Sequence, residues 1–235
     1  MHAIIKLSVI MTILKAKHMR RGGIALQTRK ITNKNKVVLQ ALRSFIEQGV
    51  EATSIAGIAA AVGLTERSVY RYFPTKAELV LETALLFWEE TVKQADAVFD
   101  SVAFAGLSGA EQIRAVLRSY ADLYFTEPEK LIFVHEAELY LYKHDMSGLN
   151  KNKPPAPYHE FRAPLAKAIR RGIEDGSVPD NKDMEFLYYN AYDALLGLIQ
   201  KMSINGVHGD VRAREDIAKQ RIEHICDLLT KSFTG

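Results

Sequence analysis

The chain has 235 residues, 48% hydrophobic and 25% charged, with a formal net charge of +3. These proportions exclude a wholly disordered chain, a collagen-like repeat and a mucin-like stalk, and the length allows one or two domains with a sizeable core. A single cysteine, Cys226, excludes an internal disulfide framework and points to a reducing compartment.

The small net charge hides two opposite segments. Residues 1–76 carry 13 Lys and Arg against Glu47, Glu51 and Glu66, a net +10, whereas the remainder carries 18 basic and 25 acidic residues, a net −7. Such asymmetry fits a polyanion-binding head on an acidic body; a solvated basic face without a partner is the alternative. Ala3 to Leu14 is apolar except for Lys6, Ser8 and Thr12. That run is too short to span a bilayer, which takes about 20 residues, and its positive charges follow rather than precede it, unlike a secretory signal. Three readings stand for residues 1–28: a disordered arm, a short apolar helix on the body, or translated upstream sequence with Met19 as the true start. In the last case the head still keeps +7.

From Ile31 onward the pattern is helical. Val38, Ala41, Leu42, Phe45 and Ile46 form one amphipathic stripe, and Gly49 stands where a left-handed cap belongs. Two short helices follow, Ser54–Ala61 and Thr65–Phe73, each opened by a hydroxyl N-cap and separated by Val62-Gly63-Leu64. Pro74 ends the second, and Thr75 can cap a long helix running towards Phe99. Beyond Ser101, Ile113, Val116, Leu117, Tyr120 and Tyr124 share a stripe; Pro128 and Pro164 start further helices, and Lys151–Pro157 is a loop. Asp180 can cap a helix containing Leu187, Ala191, Ala194, Leu195, Leu198, Ile199 and Met202. Asn205-Gly206 and His208-Gly209-Asp210 form a turn before a last helix with Ala218, Ile222, Ile225, Cys226, Leu229 and Phe233. No alternating strand appears, so the fold class is all-α.

The stretch from Thr53 to Leu79 has the physics of two helices joined by a tight turn, the second free to enter a DNA groove. Ala59 permits close crossing, Gly63 can take a positive φ, and Ile58, Val62, Leu64 and Val69 supply the apolar contacts. The outer face of the second helix keeps Thr65, Glu66, Arg67, Ser68, Arg71 and Tyr72. Hydroxyls and guanidinium groups there can bond phosphates and base edges, which a helix made only to pack would not present.

This stretch resembles the DNA-binding domain of the TetR family of bacterial transcriptional regulators. The resemblance rests on Gly49, Thr53, Ile58-Ala59, Val62-Gly63-Leu64, Ser68-Val69-Tyr70-Arg71-Tyr72-Phe73, Lys76 and Leu79, and covers roughly Ile31 to Val80, about a fifth of the chain. It implies a helix-turn-helix domain at 29–76, a helical ligand-binding and dimerisation body at 77–235, and a cytoplasmic homodimer on a palindromic double-stranded DNA operator. It places phosphate contacts at Thr53 or Ser54, at Tyr70 and at Lys76. Thr65, Arg67, Ser68 and Arg71 would face base edges or nearby phosphates, and Tyr72 would lie against the backbone. Glu66 would accept from a cytosine amino group or point away.

In this family the body usually binds a small molecule, here of unknown identity. The pocket candidates are Trp88, Tyr120, Tyr124, Phe125, His135 and Tyr142, although aromatics at helical spacing also build plain cores. Asp122, Glu138 and Asp193 would point to a cationic ligand if buried unpaired. The last two helices are the expected dimer surface, through Ala191, Ala194, Leu195, Leu198, Ile222, Cys226 and Leu229, with Gly197 also small enough for close approach. No metal, cofactor or enzyme signature appears: His135-Glu136 lacks the second histidine of a zinc helix, position 139 being Leu. A ligand-responsive repressor is the expectation. An activator, a nucleoid-type DNA-binding protein or a helical scaffold without DNA are its rivals.

Overall fold

A computed structural model of the protein describes residues 33–144, 163–206 and 211–235, and among these every regular element is an α-helix. In chain order they are α1 (Asn33–Gln48), α2 (Ile55–Ala61), α3 (Glu66–Tyr70), α4 (Lys76–Phe99), α5 (Val102–Ala105), α6 (Gly109–Ala121), α7 (Leu123–Thr126), α8 (Pro128–Lys143), α9 (Pro164–Asp175), α10 (Met184–Gly206) and α11 (Val211–Thr234). The expectations for residues 1–28, for the Lys151–Pro157 loop and for His208-Gly209-Asp210 lie outside the described residues.

The chain forms two compact units that do not follow a single cut. One takes α1, α2, α3, the start of α4 up to Glu90, and α8 from Ile132. In it α1 buries Val37, Val38, Ala41, Leu42 and Phe45. Gly49 then reverses the chain at φ +84°, a conformation that costs glycine little. The core joins Ile58, Ala59, Val69, Phe73, Leu79, Phe87, Trp88 and Phe133, all nearly inaccessible, with the Phe45 and Phe133 rings stacked at 6.0 Å.

The other unit takes Thr91–Leu131 and the described part of Pro155–Gly235. Here α6 packs against α9 and α11, burying Ile113, Val116 and Leu117 with Leu165, Ile169, Leu195, Ile222 and Phe233. Ser108 and Glu111 form a capping box at the start of α6. The end of α9 supplies two more acceptors there: Gly109 N–H donates to Asp175 Oδ2 at 2.8 Å and Ala110 N–H to Ser177 Oγ at 3.0 Å. Along α6, Arg114 pairs with Asp227 and Glu223, and Arg118 with Asp122 and Glu223.

Several sequence expectations shift in detail. The side chain that caps α10 is Asp183, which accepts from Phe186 N–H at 3.0 Å, and not Asp180. Asn205-Gly206 belongs to the last turn of α10 and not to the connection after it. The four-residue helices α5 and α7 leave no mark in the sequence pattern, because neither is long enough to show a period. Gly176 closes α9 in the left-handed conformation, at φ 77°.

The α6–α9 crossing is close enough that a Cβ on Gly109 would overlap the backbone of Gly172, while one on Gly172 would overlap the Val178 side chain. Backbone cannot step aside as a flexible side chain can. Gly109→Ala is therefore expected to destabilise the fold by about 1–3 kcal/mol in urea unfolding.

Candidate nucleic-acid interface

The helix-turn-helix is assembled by short-range chemistry. Ser54 caps α2 by accepting from Gly57 N–H at 3.0 Å. Gly63 turns the chain at φ 68°, and Thr65 caps α3 by accepting from Ser68 N–H at 3.2 Å. The expected second helix, Thr65–Phe73, is regular only over Glu66–Tyr70. After Tyr70 the backbone tightens, with Tyr72 N–H bonding the Val69 carbonyl at 2.9 Å, and Pro74 then offers no N–H to continue.

Val69, wholly buried, anchors α3 to the core. The opposite face stands open: Thr65, Glu66, Arg67, Tyr70 and Arg71 are exposed, while Ser68 and Tyr72 are half-buried. Arg67 and Arg71 lie one turn apart, and among the described residues neither has an ion-pair or hydrogen-bond partner for its side chain. The Thr65 and Ser68 hydroxyls sit 2.9 Å apart and bond to each other. This is a small surface of cations and hydroxyls held on a packed support, which is what contact with phosphates and base edges needs.

Thr53 and Ser54 separate clearly. Thr53 is 3% exposed, and its hydroxyl donates to the carbonyls of Gly49 at 2.8 Å and Ser44 at 3.1 Å. It ties α1 to the turn and is closed off from phosphate; Ser54 is exposed. Lys76 is half-buried. Its ammonium donates to the Glu51 carbonyl at 3.2 Å and lies 5.1 Å from the centre of the Tyr140 ring. Burial holds its pKa below the ordinary lysine value, partly offset by the charge of Glu51.

Glu136 is a supporting residue that no sequence motif marks. Its carboxylate crosses from α8 to accept the Val50 N–H at 2.8 Å, and a Cβ on Gly49 would stand 3.3 Å from it. The donor and acceptor are separated by 86 positions, so no local pattern links them. An exposed pair, Lys143 with Glu51 at 3.3 Å, flanks this bond and adds little.

Residues 38–83 match the bacterial regulatory proteins of the TetR family. That segment carries the family's N-terminal domain. It is 38% identical over 65 residues to the nucleoid occlusion factor SlmA of Photobacterium profundum, an alignment covering 27% of this chain and 33% of that protein. The chain thus aligns with about a third of that relative's length. Its fold is that of the fatty acid degradation regulator FadR from Bacillus halodurans, with a TM-score of 0.57, 14% identity and coverage of 87% and 97% of the two chains. FadR from Bacillus subtilis, solved in complex with stearoyl-CoA, gives 0.55 and 13%, covering 83% and 96%. Among the described residues the protein is accordingly all-α, with a helix-turn-helix head and a helical body.

The pocket candidates scatter in their surroundings. Trp88 is 2% exposed within the head unit's core, packed edge-to-face on Phe87 at 5.1 Å. In the other unit Tyr120 is equally buried, its ring against Tyr192 at 5.3 Å. Tyr124 and Phe125 are half-buried and touch each other, and Tyr124 borders a hollow built from described residues. His135 is half-buried on α8, whereas Tyr142 is 62% exposed and therefore lines no enclosed pocket in the protomer. Asp122 pairs with Arg118; Glu138 and Asp193 are only half-buried, and desolvation raises the Asp193 pKa.

Four residues expected on a dimer surface need correcting. Ala191, Leu195, Ile222 and Cys226 face the core of their own unit and are at most 1% exposed. Their apolar stripes are consumed within the protomer. Ala194 is exposed, and Leu198 and Leu229 are half-buried. Among the described residues no helix is long and apolar enough to cross a membrane, and no group of three His, Cys, Asp or Glu could hold a metal ion.

Removing the Glu136 acceptor would strand a half-buried N–H at the turn that supports α2. Glu136→Ala is expected to cost about 1–3 kcal/mol in urea unfolding, and Glu136→Gln, which keeps an acceptor oxygen, distinctly less.

Proposed function

We propose that this TetR-family DNA-binding regulator is a ligand-responsive repressor, acting in the cytoplasm as a homodimer on a near-palindromic operator. The observation that carries the DNA reading is the pair Arg67 and Arg71, exposed and, among the described residues, unpaired, on and just after a helix whose other face is locked into the core. Arg67, Arg71, Thr65 and Ser68 read base edges or adjacent phosphates; Ser54, Tyr70 and Lys76 hold phosphates, and Tyr72 lies along the backbone. Glu66 accepts from a cytosine amino group or points away. The +10 of residues 1–76 supports the sequence-independent part of binding.

The dimer reading moves to the outer stripe of the last two helices. Phe186 is 62% and Leu228 48% exposed, and Ala194 and Gly197 add small exposed positions to α10. Two such helices from each copy would make a four-helix contact. Ligand response is supported by a regulator of the same fold that was solved in complex with stearoyl-CoA. Release requires only that the ligand bind the two head spacings with different affinity.

The SlmA alignment favours a second reading, a nucleoid-type protein with many dispersed sites. Chromatin immunoprecipitation separates the two: a repressor concentrates at one or a few promoters, including its own upstream region, and derepresses them when deleted. Dispersed occupancy without a change in transcription would overturn the repressor reading.

Arg71→Ala is expected to weaken operator binding by about 1–3 kcal/mol, and Lys76→Ala to weaken it evenly across sequences while reducing the salt slope by about one. Fluorescence anisotropy at several salt concentrations reads both; unchanged affinity in both variants would refute the assignment. Ala194→Arg is expected to convert dimer to monomer in sedimentation velocity without lowering the thermal midpoint of the protomer.

A further inference from the structure

Where α7, α10 and α11 meet, the body has a half-open hollow of about 300 Å³, at the small end of the range for organic ligands. Met202, Ile217 and Ala218 provide an apolar floor and wall. Three residues with polar side chains also line it: Tyr124, Asn205 and Arg221. Among the described residues none of the three has a hydrogen-bond or ion-pair partner for its polar atoms. Gly206 completes the wall, where a Cβ would make ordinary contact with the Tyr124 hydroxyl oxygen at 3.8 Å.

The contrast with nearby arginines is informative. Arg114 and Arg118 are both committed to carboxylates of α11. Arg221, on the same helix as those carboxylates, is left over in a segment with an acidic excess of seven. An uncommitted guanidinium at the mouth of an apolar hollow favours an anion, and its planar fork matches a carboxylate in two-point contact. The Asn205 amide and the Tyr124 phenol are further hydrogen-bond donors among the lining residues. A thioether and an aromatic ring suit a flat or short-chain apolar body.

We propose that this hollow binds a small amphipathic organic acid of about ten carbon atoms, its carboxylate held by Arg221 and its body seated on Met202, Ile217 and Ala218. The proposal deepens the ligand-responsive reading by naming a ligand class and rests on it for any effect on DNA. Binding is measured without DNA, so its failure leaves operator recognition standing.

The test is isothermal titration calorimetry of the full chain with 2-naphthoate and with octanoate, each beside its neutral amide. The acid of at least one pair is expected to bind about tenfold or more tighter than its amide. Arg221→Met should abolish that preference, Arg221→Lys should retain part of it, and both variants should keep the thermal midpoint of the unliganded protein. If neither acid binds, or if the preference survives in Arg221→Met, the proposal is overturned. It is equally overturned if Arg221→Met turns a dimer into monomers while neither acid changes the wild-type protein, for then a second copy fills the hollow.

Discussion

The hydrogen bond from Val50 N–H to the Glu136 carboxylate holds the turn on which the DNA-reading surface stands. A helix of five residues, such as α3, has too few internal bonds to persist alone in water. Its conformation comes from Val69 in the core, from α2 beneath it and from the turn that launches α2. That turn is secured on both sides. Glu136 takes the N–H after Gly49, and the Thr53 hydroxyl takes the carbonyls of Gly49 and Ser44. The absence of a side chain on Gly49 is what lets a carboxylate come so near.

One residue type serves two ends in this chain. On α6, arginine is structural: two guanidinium groups hold α11 through carboxylates. On α3 and at its C-terminal cap the same group has no partner among the described residues, and its charge is exposed. An ion pair formed within the head would have to be broken before a phosphate could take its place. Leaving Arg67 and Arg71 free avoids that competition, and it concentrates uncompensated charge on the surface that meets a polyanion. The acidic excess of the remaining chain is consistent with this division of labour.

Local chemistry was legible in the sequence. The caps at Ser54, Thr65 and Thr75, the prolines opening α8 and α9, and the glycine at the end of α1 each act within four residues, so the sequence order contains the whole interaction. The helix-turn-helix was legible for the same reason. Contacts between distant segments were not. Glu136 and Tyr140 reach the head across long separations, and nothing near them in sequence marks that role. Periodicity showed that α10 and α11 are amphipathic, but it could not say that their strongest stripes are used against α6, leaving the weaker adjacent stripe outside. Which aromatic residues line a pocket was not legible for a related cause: an aromatic filling a core and one lining a cavity have the same spacing.

Cys226 is 1% exposed, and burial pushes its thiol up to about 11, so at neutral pH it is both hidden and protonated. As the one cysteine of the sequence, it leaves the whole surface chemically silent towards thiol reagents. A cysteine introduced at an exposed position of the head, such as Ala60→Cys, could therefore carry a nitroxide or a fluorophore with the native thiol left in place. In an assembly of two copies, each would then bear one probe, and the distance between the probes would report the head spacing directly.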